Sequence, residues 1–87
     1  MCSLHTRVAR KTAAAFEEFR AEVAHDIPDD TYIRLKATKQ RAADELMMMK
    51  GCASAERFLR VLQGPTPPKK NITQVQQHID DLIKTIR

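Results

Sequence analysis

Residues 44–63 read DELMMMKGCASAERFLRVLQ. Two helical patterns meet in this stretch with almost no chain between them, and that decides the fold. Leu46, Met47 and Met49 stand on the apolar side of the first, and Ala55, Phe58, Leu59 and Leu62 recur at helical spacing in the second. Gly51 can end the first helix, because a residue without Cβ tolerates the backbone a sharp stop requires. The second helix, about residues 53–63, must then turn back on the first as an αα-hairpin.

Three adjacent methionines could be a soft-metal site, an adaptable binding surface or ordinary core. Methionine sulfur suits Cu(I) and Cys52 follows closely, but consecutive helical positions point about 100° apart and cannot converge on one ion. Cys2 and Cys52 lack paired zinc spacing, and His5, His25 and His78 are scattered. The favoured reading makes Met47 and Met49 adaptable core filling, with Met48 partly exposed. Neither metal nor cofactor is expected.

Downstream, Gly64 is a C-cap, and Pro65, Pro67 and Pro68 forbid further helix in the connection QGPTPPKK. Asn71 with Gln74 reads as an N-cap and capping box. The stripe Ile72, Val75, Ile79, Leu82, Ile83, Ile86 then predicts a final helix that needs tertiary packing. Upstream, Thr38 can cap a helix of about 38–50 carrying Ala42 and Ala43 inward. Asp29 or Asp30 after Pro28 can cap a short helix of about 29–37 bearing Tyr32, Ile33 and Leu35. Leu4, Val8, Ala15, Phe16, Phe19, Val23 and Ile27 keep helical spacing near the N-terminus. Thr12 could restart a helix there, so one long helix and two short ones are both open.

Eighty-seven residues with two glycines, no tryptophan and one tyrosine suit one domain of helices. The expected fold is all-α: a compact antiparallel bundle of five to six helices. MCSLHTRVAR has no apolar signal core, and no apolar run could span a bilayer, so a cytoplasmic protein with free thiols and no membrane partner is expected. Glu17–Glu18 and Asp80–Asp81 are adjacent carboxylates that diverge on a helix. No nucleophile with an oriented base, no phosphate loop and no cofactor fingerprint is present, so the chain is expected not to be an enzyme.

Charge is laid out in blocks. Residues 17–30 hold six acids (Glu17, Glu18, Glu22, Asp26, Asp29, Asp30) and one base, Arg20. Arg7, Arg10 and Lys11 precede that block; Arg34, Lys36, Lys39 and Arg41 follow it. Opposite blocks on a small bundle make two faces able to dock head to tail. The net charge of +4 also admits a small basic nucleic-acid-binding protein, though the acidic block would repel a phosphate backbone. An unrelated helical interaction module is the other alternative.

The stretch from Asp26 to Gln63 resembles a caspase recruitment domain (CARD) of the death-fold superfamily. Ile27-Pro28-Asp29-Asp30-Thr31-Tyr32-Ile33 is similar to the lead into that family's helix 3. Thr38 to Met47 resembles helix 4, Lys50-Gly51 the break after it, Ala55 with Phe58-Leu59-Arg60-Val61-Leu62 helix 5, and Val75 to Ile86 helix 6. The resemblance implies a Greek-key bundle and homotypic docking. Its basic face would use Arg7, Arg10, Lys11, Lys39 and Arg41; its acidic face would use Glu17, Glu18, Glu22, Asp29 and Asp30. The implied partner is a CARD-containing adaptor or caspase of the host, with self-association also implied. The chain's single module looks like the CARD-only decoys of hosts and large DNA viruses, iridoviruses included, which regulate apoptotic, inflammasome or interferon signalling.

Overall fold

A computed structural model describes the backbone of residues 3–48 and 53–86, and the side chains of residues 7–48 and 56–86. Four helices form there: α1 Ser3–Glu22, α2 Asp29–Met47, α3 Ala53–Gln63 and α4 Ile72–Ile86. Each packs on its neighbours in chain order, and α1 closes the ring against α4. The bundle is all-α, as composition and periodicity predict.

The helix count differs from expectation because the break predicted before Thr38 is absent. Residues 29–37 and 38–50 were expected as separate helices, yet α2 runs unbroken to Met47. No glycine or proline lies between Asp29 and Met47, so nothing outweighs the cooperative gain of propagating the helix. α1 is likewise single. The Thr12 hydroxyl donates to Val8 O at 2.8 Å and Ala9 O at 3.3 Å, satisfying itself within the helix instead of capping a new one. Pro28, not Asp29 or Asp30, is the N-cap of α2; both aspartates sit in the first turn, where the helix dipole favours them. Asn71 precedes α4 as expected, its carbonyl accepting from the Val75 N–H at 3.1 Å, while its own N–H donates to Pro68 O at 2.9 Å, where the expected capping box would have used Gln74.

Among the described residues, fifteen apolar side chains from all four helices and the α1–α2 connection make one core. Phe16, Val23, Ile27, Leu35, Leu46, Phe58, Val75, Ile79 and Leu82 are essentially inaccessible. α4 buries the predicted stripe, Val75, Ile79, Leu82 and Ile83, with Ile72 and Ile86 packed at its margin. The methionine reading needs correction. Met47 is 57% exposed, not core, and its thioether lies against the Gln63 amide at 3.4 Å; Met48, expected to be partly exposed, is 85% exposed, while Leu46 is buried. Ile33 is also outside, 65% exposed. Met49, the Lys50-Gly51 break, Cys2, Cys52, Leu4, His5 and the Ala55 side chain lie outside the described residues.

The continuity of α2 is testable at Thr38. As a mid-helix residue it should lose nothing on Thr38→Ala and gain up to about 0.5 kcal/mol from better propensity. A true N-cap would lose about 1 kcal/mol. Urea-unfolding midpoints of the two proteins distinguish these outcomes.

Candidate protein-docking surface

α1 and α2 run antiparallel, and two charged crossings set their register. Lys11 Nζ lies 3.2 Å from Glu45 Oε1 near one end of the seam. Near the other, the Arg34 guanidinium grips Glu22 with both arms, Nη1 to Oε1 at 3.2 Å and Nη2 to Oε2 at 3.1 Å. Nη1 also reaches Asp30 Oδ2 at 3.2 Å, and the guanidinium stands 5.1 Å from the centre of the Phe19 ring. The Thr31 hydroxyl, itself buried, donates to Glu22 Oε1 at 2.8 Å. That bond first, and the Arg34 fork second, hold the Glu22 carboxyl below its ordinary value.

Helical periodicity carries these contacts along the seam. Arg7 lies one turn before Lys11, and Glu18 one turn before Glu22; on α2, Arg41 lies one turn before Glu45. Arg7, Lys11 and Arg41 therefore fall towards one end of the seam, where Lys11 pairs with Glu45. Glu18, Glu22 and Asp30 collect towards the other around a single base, Arg34. Lys11 and Glu22 are eleven residues apart on one helix, so the two clusters are centred about 16 Å apart. Arg7, Arg10, Lys11, Glu18 and Arg41 are exposed.

Not every expected face residue joins these clusters. Arg10 and Glu17 lie on the outer side of α1, and Glu17 is within 4.0 Å of Arg20, which bridges to Asp80 on α4 at 3.2 Å. Asp29 points along the other flank of α2, where it pairs with Lys69.

Lys39 leaves the basic face altogether. It is 3% exposed, and its Nζ is shared among Gly64 O (3.1 Å), Thr66 Oγ1 (2.6 Å) and His78 Nε2 (2.6 Å). An ammonium has three protons, and these three acceptors use them. His78 must accept through Nε2 and is therefore neutral, with its proton on Nδ1. Burial first, and the Lys36 charge second, pull the Lys39 ammonium down to about 8. Burial first, and then Lys39, lower His78, with Asp81 opposing them. A buried cation whose three N–H groups all meet neutral acceptors is structural here, since its hydrogen bonds are made inside the protein and none is offered to a docking partner.

The chain matches no family model, no curated protein and no solved structure. Its own geometry must carry any reading. Among the described residues, no three His, Cys, Asp or Glu side chains cluster as metal ligands would, and no helix is long and apolar enough to cross a membrane. Sequence reasoning missed Arg34 and Glu45 as organisers of the surface. The Asp30–Arg34 spacing was visible along the chain, but the partners of both on α1 were not.

The Lys39 site predicts a pH dependence. Its folded value, about 8, lies below the ordinary 10.5, so the unfolded chain binds more protons between those limits and stability rises with pH across that window. Lys39→Met should flatten the rise, as read from urea midpoints at pH 7.5, 9 and 10.5 (about two steps through the window).

Proposed function

We propose that this protein is a non-catalytic docking module that binds head to tail, the acidic end of its α1–α2 seam meeting the basic end of the seam on its partner. One observation carries the reading: Arg7, Lys11 and Arg41 are segregated from Glu18, Glu22 and Asp30 along one pair of helices. Such a surface favours one orientation of approach and opposes the reverse, because like ends repel. Arginine suits the basic end, since its planar fork meets a carboxylate at two points.

The class of partner comes from the sequence resemblance: a CARD-containing adaptor or caspase in the cytoplasm, whose signalling the docked chain would regulate. With α2 unbroken, the chain has four described helices where the resemblance implies six. The charge layout and the quoted residues support this reading; the helix count does not. The acidic end speaks against a nucleic-acid partner, because a phosphate backbone following the seam would meet Glu18 and Asp30.

The test uses purified proteins treated with nuclease: a CARD of an adaptor immobilised, and this chain in solution. Glu18→Lys should lower affinity about tenfold, as should the Arg7→Glu, Arg41→Glu pair if that end is also used. Mixing the two variants should restore association between them, because each keeps the end that the other has lost. Binding unchanged by either set of reversals would reject the seam. Binding that disappears with nuclease would assign the surface to nucleic acid instead.

A further inference from the structure

The α3–α4 connection, residues 64–71, is a strap laid along the flank of α2 opposite to the seam. Three α2 positions hold it, the first two about one turn apart and the third about two turns further on. Asp29 pairs with Lys69, the Tyr32 hydroxyl donates to Pro67 O at 2.7 Å, and Lys39 donates to Gly64 O and Thr66 Oγ1. No side chain of residues 64–71 belongs to the buried core. Lifting the strap breaks these polar contacts and withdraws no side chain of its own from the core, which places it among the segments that open locally.

Its sequence, GPTPPKKN, contains one hydroxyl side chain, Thr66, followed at once by Pro67 and three places on by Lys69. Proline fixes φ and keeps the residue before it extended, so the acceptor segment is held in the form that a kinase cleft receives. A proline directly after the acceptor and a base three places later are the features by which one class of Ser/Thr kinases selects its sites.

The surroundings of the hydroxyl are the second observation. Thr66 borders a cavity of about 270 Å³ whose lining includes Lys36, Lys39, Gln40 and Gln63 and, among the described residues, no carboxylate. Lys36 and Lys39 repel each other across it while only neutral groups accept from Lys39. An anion is the ligand this cavity lacks, and the covalent anchor for one already stands at its edge.

We propose that Thr66 is the phosphoacceptor of a proline-directed Ser/Thr kinase, and that its phosphate is held between Lys36 and Lys39, fastening the strap to α2. The strap lifts, and Thr66 Oγ1 attacks the γ-phosphorus of MgATP. The new Oγ1–P bond forms as the bond to the ADP oxygen breaks, and the hydroxyl proton passes to the base of the kinase. When the strap returns, a phosphate replaces a neutral hydroxyl beside the two ammonium groups. A charge-assisted contact then stands where a neutral one did.

The experiment incubates the full chain with MgATP and a purified cyclin-dependent kinase, locating phosphate by tandem mass spectrometry. One phosphate is expected, at Thr66; it is absent in Thr66→Ala, kept in Thr66→Ser and reduced at least ~tenfold in Pro67→Ala. Thr66→Ser retains the acceptor for Lys39, so it also controls for folding. The phosphorylated chain should melt about 5 °C higher, and Lys36→Ala should remove much of that gain without preventing incorporation. Phosphate placed elsewhere would overturn the site. So would failure of the folded chain while a peptide of residues 60–75 is phosphorylated, or failure of both. A melting temperature unchanged or lowered by phosphate at Thr66 would overturn the lysine cradle.

Discussion

The buried ammonium of Lys39 holds together parts of the molecule that the core does not reach. One charge on α2 binds the last carbonyl region of α3 through Gly64, the strap through Thr66 and α4 through His78. The strap adds no side chain to the core, so its path along α2 depends on these bonds and on those of Tyr32 and Asp29. Removing one such partner would leave a buried polar group unsatisfied, which costs about 1–3 kcal/mol. The same arrangement requires His78 to stay neutral and lowers the proton affinity of Lys39 itself. Geometry and electrostatics are therefore one constraint at this point.

Across α2, on its other flank, electrostatics serves orientation more than stability. Exposed ion pairs contribute about 0–1 kcal/mol each, far less than the packing of Phe16, Phe58 and the α4 stripe. Arg34 differs from the rest through its two-armed grip on Glu22, its third contact at Asp30 and its place over Phe19. Such a fork specifies how far α1 slides along α2. In doing so it decides which surface charges are neutralised internally and which remain for a partner. α2 thus organises both sides of the bundle: one flank clamps α1 and presents the polarised seam, and the other carries the strap.

Much of this was legible along the chain. The apolar spacing of α1, α3 and α4 was readable because a 3.6-residue period is a local property, and the Pro-rich connection was readable because proline acts on its own backbone. The charge blocks were readable as composition. The errors came where a local signal had a competitor elsewhere. Thr38 is a capping residue type and was expected to start a helix, but helix propagation outweighed a cap there; at Thr12, where one helix and two were both open, propagation gave one. Met47 read as core because adjacent apolar residues do not say which of them faces inward: Leu46 takes the buried position and Met47, about 100° further round the helix, does not.

The sequence by itself determined an all-helical chain, where its helices lie in outline, the apolar stripe of α4 that faces inward and that opposite charges lie in blocks. Each of these depends on residues a few places apart. Only the tertiary structure decided that Lys39 is internal while Arg41, two residues on, is exposed. Only the fold pairs Arg34 with Glu22 and brings Thr66 to a lysine-lined cavity. Those facts join residues 12 to 39 positions apart, and whether a charge is spent or available depends on what the folded chain brings against it.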